Sequence, residues 1–343
     1  MNPIDPAAGR AILAARVAGD TALVAIGRNE GERLVRCLAS ARGRYRLVVY
    51  VDSGSTDGST TAARAAGAVV VPLDMTVPFT AARARNAGWR EALSRLPGLP
   101  FVQFVDGDCE IEDGWPEVAR ACLDTQPQVA AVAGLRRERF PDRSIYNQMC
   151  DTEWRRPAGE VDAIGGDVLL RTAALEAAGG YDDRMIAGEE PELCLRLRRL
   201  GWRIHQLEVP MTLHDAAMTR FGQWWKRMMR CGYAYALGAA MHGRGPERHW
   251  VAERRRGLAW GVALPVGIVA AGLVTASPWV SLVLAGIFPL QWMRLWHAQR
   301  GHVPRAGLQA MFLVLGKFAE GLGQLKFIGH RLTGARARLI EYK

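Results

Sequence analysis

The feature that most constrains this chain is a run of 37 residues, Gly257 to Met293, without a single Asp, Glu, Lys or Arg. One bilayer crossing takes ~20 apolar residues, so the run is long enough for two. Ser277-Pro278 interrupts it near the middle, where proline and small residues favour a turn. Trp260, Trp279, Trp292 and Trp296 fall towards the ends of the two halves, as aromatic side chains do at membrane interfaces. Arg254, Arg255 and Arg256 precede the run, while Arg294, Arg300 and Arg305 follow it. The positive-inside bias then puts both ends on the cytoplasmic side. A buried hairpin in a soluble protein is the competing reading, and the length of the uncharged run stands against it.

Charge separates the chain into two unlike regions. The formal net charge of +10 is the sum of +14 from residue 216 onward, where 18 Lys and Arg face 4 Asp and Glu, and −4 before it. The basic third flanks the apolar run and carries no nucleic-acid-reading motif, so the expected partner is anionic membrane lipid and no nucleic acid. A further apolar segment, Leu308 to Ile328, gathers Gln309, Gly316, Lys317, Glu320, Gly323 and Gln324 on one helical face. Its middle charges suit an in-plane amphipathic helix, with a third membrane helix as the alternative. The N-terminal 19 residues, broken by Arg10 and Arg16, do not read as a signal peptide. Six scattered cysteines without a CxxC pair read as reduced thiols, not as a disulfide framework or zinc site.

The first two-thirds alternates strand and helix. Apolar runs at Ala22–Ile26, Leu47–Val51, Val69–Val71 and Phe101–Val105 predict buried parallel strands. Helices are expected over Glu32–Ala41, Asp57–Ala66 and Ala81–Leu96. That order implies an α/β fold with a mostly parallel, doubly wound sheet, whose ligands sit beyond the carboxyl ends of the strands. Polar clusters fall at those ends: Gly27-Arg28-Asn29-Glu30, Asp52 to Ser59, and Asp106-Gly107-Asp108.

The Asp106-Gly107-Asp108 triplet carries the sharpest chemistry. Two carboxylates at i and i+2, closing an apolar strand, can be aimed at one divalent cation, and the glycine permits close approach. Hard oxygen ligands that leave coordination positions open suit Mg²⁺ or Mn²⁺ bridging a diphosphate. A turn or helix cap would use the same residue types, both here and in the Asp52–Ser59 loop.

Taken in order, GRNEG, DSGSTDGS, ARARNAG (Ala82–Gly88), FVQFVDGD, GGDVLLR (Gly165–Arg171) and GGYDDRMIAGEEPELCLRLRRLG (Gly179–Gly201) resemble the family 2 glycosyltransferases of the GT-A fold. The resemblance covers roughly residues 20–240. It implies an inverting transfer of a sugar from a nucleotide-diphosphate donor with Mg²⁺ or Mn²⁺. Carried over residue by residue, it makes Asp52 the acid that reads the donor base. Asn29 and Glu30 join the donor loop, and Arg83, Arg85 and Asn86 flank the nucleotide pocket. Asp106 and Asp108 match the acids that contact the donor ribose and the diphosphate-bound metal, and His214 matches a metal or phosphate ligand. Glu189-Glu190 stands where the family has Glu-Asp, whose second acid is the catalytic base; with Glu190 in place of Asp, the base is either Glu189 or Glu190. The Tyr181–Gly188 loop before it is expected to order over substrates. The QWWKR run at Gln223–Arg227 does not establish processivity, and Trp224 and Trp225 equally suit plain helix packing.

The resulting organisation is an N-terminal arm (1–19), a GT-A catalytic domain (20–240) and a C-terminal membrane region (241–343). The last holds a hairpin at about 257–296 and a helix at about 308–328. The expected function is sugar transfer to a lipid-linked or glycan acceptor, such as a polyprenyl-linked oligosaccharide, at the cytoplasmic face of the inner membrane. Transfer to polyprenyl phosphate itself, or a catalytically inactive membrane scaffold, are the alternatives.

Overall fold

The computed structural model describes residues 14 and 17–334. Most of the expected N-terminal arm and the tail residues Arg336, Arg338 and Lys343 lie outside the described residues. The chain divides into two compact units. The first comprises residues up to Pro141, Glu153–Arg184 and Glu189–Ala217; the second comprises Asp142–Thr152, Met185–Gly188 and the residues from Met218 on.

The first unit is built on a mixed sheet. Strands β1 (Thr21–Gly27), β2 (Leu47–Asp52), β3 (Val69–Pro72) and β4 (Phe101–Asp106) lie in the order β3-β2-β1-β4, all parallel. Each apolar run anticipated as a strand is one, and Ala22 to Ala25, Val49 to Val51 and Val102, Phe104 and Val105 are fully buried. Helices Glu32–Ala41, Ser59–Ala65 and Ala81–Arg95 make the crossovers between them. Thr80 caps the third, its hydroxyl accepting the Arg83 amide at 3.1 Å.

Beyond β4 the sheet departs from the mostly parallel expectation. It also contains β5 (Cys109–Ile111), β6 (Val129–Glu138), β7 (Gly159–Glu160), β8 (Val168–Arg171) and β9 (Arg203–His214). Strand β8 runs antiparallel to both β4 and β6, β9 is parallel to β6, and β5 and β7 pair antiparallel with β9. A short apolar run such as Val168–Leu170 marks a buried strand but carries no sign of its direction, and antiparallel neighbours need no helical crossover. Register then fixes the site. The end of β1 lies between Asp52, opposite Gly27, and Asp106, opposite Ile26. At the other end of the sheet, His214 of β9 is paired with Cys109 on one side and Glu138 on the other.

The second unit is helical. It contains Phe221–His242, Val251–Val274 with a π-helical turn at Ala259–Ala263, Pro278–Ala285, Ile287–Gln299 and Ala306–Thr333. The chain turns at Thr275–Ser277, next to the anticipated break. Among the described residues one helix, Val251–Val274, is long and apolar enough to cross a membrane; an 18-residue stretch of it has a mean hydropathy of 2.0 and is 17% buried. The second half of the expected hairpin is divided at Gly286 into two shorter helices. Its apolar side chains are nevertheless outward, Trp279 at 71% and Val283 at 76% exposed.

Helix Ala306–Thr333 has the two faces read from the sequence, but the polar one is not in solvent. Gln309, Gly316, Glu320, Gly323 and Gln324 are buried, while Leu308, Met311, Leu313, Leu322 and Leu325 are exposed. Small residues explain the burial, because they let helices approach backbone to backbone. A Cβ on Gly232 would lie 2.0 Å from the Glu320 carbonyl oxygen, and one on Gly323 would lie 2.0 Å from that of Met229. Lys317 pairs with Glu320 at 2.7 Å along the seam. Trp224 is buried among Tyr146, Phe221 and Phe312, so packing accounts for it.

Candidate active site

Three groups of polar side chains gather at strand ends of the first unit. The first laces two loops together. Asp52 is buried, and its Oδ2 accepts the amides of Gly54 at 3.0 Å and Ser55 at 2.9 Å, while Oδ1 accepts the Tyr50 hydroxyl at 3.1 Å. Asn29, in the left-handed region at φ 55°, donates its backbone amide to Ser55 Oγ at 2.9 Å and accepts the Thr56 amide at 2.8 Å. Glu30 pairs with Arg33 at 2.8 Å. Arg83 donates to the carbonyls of Asp74, Val77 and Pro78 at 2.9–3.0 Å and so straps the loop before its own helix.

Asn86 is tied into the loop that begins at Tyr181. Its amide donates to the Tyr181 carbonyl at 2.7 Å and to Asp183 at 2.8 Å, and its oxygen accepts from Tyr181 N and Trp89 Nε1. Saturated in this way, and 1% exposed, it clamps the chain at Tyr181. The Tyr181–Gly188 segment is correspondingly less of an open lid than its glycines and charges suggested. Tyr181, Met185, Ile186 and Ala187 are all buried.

The second group centres on Arg85, which is 2% exposed. Its Nη1 lies 2.6 Å from Glu189 and 3.1 Å from Glu190, and its Nη2 lies 2.9 Å from Asp106. Arg136 reaches the other Asp106 oxygen at 3.2 Å and Asp167 at 3.5 Å. Asp167 also accepts the Asp106 amide at 3.0 Å and the Thr212 hydroxyl at 2.6 Å. Gly166 makes room for this arrangement, since a Cβ there would lie 2.2 Å from Arg85 Nη2.

Two guanidiniums thus face four carboxylates, and the imbalance settles on Glu190. Burial, with the charge of Glu189 next, pushes its carboxyl up to about 7 despite the opposing pull of Arg85. Burial works against the charge of Arg85, but Glu190, Asp106 and Glu189 outweigh it and hold the guanidinium firmly charged. Glu189 is locked on Arg85 with its side chain 3% exposed, whereas the Glu190 side chain is 17% exposed. Of the two acids left open by the sequence, Glu190 is the more accessible.

The third group is Asp108, Cys109 and His214, whose ligand atoms lie within 4.8 Å of one another. Asp108 Oδ2 is 3.2 Å from His214 Nε2. Burial, with Arg136 second, pushes the His214 pKa down, which favours the neutral imidazole that binds metals. Burial pushes the Cys109 thiol up, so it stays protonated and is a poor ligand beside the oxygen and nitrogen donors. A carboxylate and a neutral imidazole converging at this separation fit a divalent cation, and the mixed donor set is compatible with Mn²⁺.

The two acids of the DxD triplet therefore separate. Asp108 stands with His214, while Asp106 is held between two guanidiniums and groups instead with Cys109 and Asp167. Gly107 turns the chain between the two acids, its amide bonded to the Ile26 carbonyl at 2.8 Å. Sequence reasoning also missed Arg136, Glu138, Trp154 and Asp167. Asp167 sat unread inside the GGDVLLR motif, and Arg136 and Glu138 lie two residues apart on one face of β6. The Trp154 and His214 rings meet edge to face with centroids 4.6 Å apart, and Arg136 lies over the Trp154 ring at 4.8 Å.

This mixed α/β sheet, with acidic and basic side chains massed at its strand ends and a carboxylate–imidazole pair beside them, is of the GT-A class. Comparison with known proteins is specific. Residues 24–164 match the family described as Glycosyl transferase family 2. A TPR repeat-containing protein of Synechococcus elongatus is 32% identical over 193 residues, 56% of this chain and 41% of that protein. A pre-mycofactocin glycosyltransferase of Mycobacterium tuberculosis is 24% identical over 238 residues, 65% of this chain and 48% of that protein. The chain thus spans less than half the length of these relatives. Among solved structures, a mannosyltransferase from Pyrobaculum calidifontis in complex with GDP-Man and Mn²⁺ aligns with a TM-score of 0.61 at 20% identity, covering 89% of this chain and 87% of that one. A fragment of S. aureus TarS aligns with a TM-score of 0.50 at 16% identity, covering 92% of each chain. The chain thus carries a match to the family 2 glycosyltransferases over residues 24–164 and has a GT-A fold.

Proposed function

We propose that this chain is an inverting, divalent-metal-dependent glycosyltransferase that moves a sugar from a nucleotide-diphosphate donor to a lipid-linked or glycan acceptor at the cytoplasmic face of a membrane. The observation that carries the reading is the pairing of Glu190, with its carboxyl at about 7, with the Asp108–His214 chelate in one unit of the fold.

Glu190 takes the proton of the acceptor hydroxyl as its oxygen attacks the anomeric carbon from the face opposite the leaving group. Arg85 holds Glu189 and Asp106 in place and keeps the base from being protonated more tightly still. Asp106 meets the donor ribose, and the loops laced by Asn29 and Asp52 frame the base of the nucleotide. Asp108 and His214 would hold a divalent cation, Mg²⁺ or Mn²⁺, which when bound neutralises charge on the departing diphosphate. The related mannosyltransferase, complexed with GDP-Man and Mn²⁺, supports a donor and a metal of these classes.

The membrane side of the proposal rests on the second unit. Helix Val251–Val274 is suited to the bilayer, and the apolar face of Ala306–Thr333 is suited to its surface. Arg244, Arg254, Arg255, Arg256, Arg294, Arg300 and Arg305 supply cations for anionic headgroups. An acceptor carried on a membrane lipid, such as a polyprenyl-linked glycan, is matched to an enzyme held there. A screen of nucleotide-sugars by thermal shift, with and without Mn²⁺, tests the reading. A metal-dependent shift with one donor is expected, and no shift with any donor would contradict it.

A further inference from the structure

Glu138 is a buried carboxylate that the proposed chemistry leaves without a role. Its side chain is 0% exposed, and the β6–β9 register sets it directly opposite His214. Its Oε1 accepts the Phe140 amide at 3.2 Å and its Oε2 accepts the Ala216 amide at 3.1 Å. The same Oε2 lies 3.3 Å from His214 Nδ1. A carboxylate can only accept, so the ring nitrogen facing it must carry the proton. In a neutral imidazole the other nitrogen, Nε2, is then a bare lone pair, and it points at Asp108 Oδ2, itself an acceptor, 3.2 Å away. Two lone pairs brought face to face in a buried site are favourable when a cation lies between them.

Backbone pairing makes this arrangement rigid. Cys109, next to Asp108, is the partner of His214 on β5, and Glu138 is its partner on β6. The Asp215 amide donates to the Asp108 carbonyl at 3.0 Å, and the Arg139 amide donates to the His214 carbonyl at 2.8 Å. Glu138 on β6, His214 on β9 and Asp108 just before β5 therefore stand side by side, with the imidazole in the middle.

We infer that Glu138 is a positioning residue that fixes the Nδ1-protonated tautomer of His214, so that Nε2 and Asp108 present a preformed pair of ligands to a divalent cation. The inference deepens the metal-dependent reading and rests on it. Carboxylates that orient a ligating histidine typically affect metal affinity ~10–100-fold.

The test uses the full chain in detergent. Free Mn²⁺ is followed by electron paramagnetic resonance in the presence of a nucleoside diphosphate, for the wild type, Glu138→Gln and Glu138→Asp. Glu138→Gln, whose NH₂ replaces one of the two accepting oxygens, is expected to weaken Mn²⁺ binding ~10–100-fold, and Glu138→Asp to weaken it less. Histidine-selective ¹⁵N spectra of the metal-free wild type are expected to show His214 protonated at Nδ1. That measurement stands even where Glu138→Gln fails to fold. An Nε2-protonated His214, or a folded Glu138→Gln that binds Mn²⁺ as the wild type does, would overturn the inference alone. A wild type that binds no Mn²⁺ would overturn both the inference and the metal-dependent reading.

Discussion

The two units of this protein follow opposite rules for where polarity goes. In the first, Val, Leu, Ala and Phe fill the sheet, and charge collects at strand ends where loops begin. In the second, leucines and valines face outward while Gln309, Glu320 and Gln324 lie inside among glycines. A single solvent cannot stabilise both arrangements in the same way. Burial of apolar surface away from water accounts for the first, worth ~25 cal/mol per Å². Small-residue helix contacts and an outer surface of hydrocarbon affinity account for the second, as in proteins that meet lipid. The difference teaches that the polar groups of the two units are placed differently: those of the sheet gather at its strand ends, and those of the helices lie between helices.

Several substitutions can break this division. The largest effect is expected at the base and the chelate. Glu190→Gln should lower kcat ~10²–10⁴-fold, measured as nucleoside diphosphate release in the presence of acceptor. The wild-type rate should rise as pH increases through about 7, where Glu190 loses its proton, and this limb should be absent from the residual activity of Glu190→Gln. Next comes the outer surface of the helical unit. Lys at a mid-helix membrane position costs ~2.5–3.5 kcal/mol, so Val269→Lys should release the protein from anionic vesicles in a flotation assay. Donor binding by the same variant in detergent should be unchanged, since Val269 belongs to no part of the site.

A smaller effect is expected inside the helical unit. Gly323→Leu drives a side chain at the Met229 carbonyl and should cost ~1–3 kcal/mol, seen as a lower melting temperature in detergent. The smallest is a matter of stability and pH. Because the folded-state pKa of Glu190 is raised, its contribution to stability is fully present below the ordinary glutamate value of 4.5 and is lost as pH rises through about 7. Glu190→Gln should therefore melt a few degrees above the wild type at pH 8 and level with it at pH 4. A variant that is less stable at pH 8 would show that the ionised carboxylate is well solvated or well paired.

Much of this was legible in the sequence where the signal was local. Parallel strands buried on both faces read as continuous apolar runs, so β1 to β4 and the loops after β1, β2 and β4 were visible directly. The uncharged run and the two-faced segment after it were visible for the same reason. What was hidden depends on pairing over distance. Glu138 and His214 are 76 residues apart and become neighbours only through the β6–β9 register. Likewise, Asp106 and Asp108 look equivalent as a triplet, and only Arg85 and Arg136, brought in from a helix and another strand, set them apart. In helix Ala306–Thr333 the periodicity gave a polar face but not what that face meets, and the answer lay in Gly232 on another helix.

The central claim is that the strand-end cluster is a sugar-transfer site with separable base and metal ligands. It is tested most directly by nucleoside diphosphate release from the donor selected by the thermal-shift screen, in the wild type, Asp108→Ala and Glu190→Gln, with Mn²⁺ and with chelator. The account predicts release by the wild type that needs the metal, loss in both variants, and loss of Mn²⁺ binding in Asp108→Ala alone. Metal-dependent release at wild-type rates by either variant would contradict it.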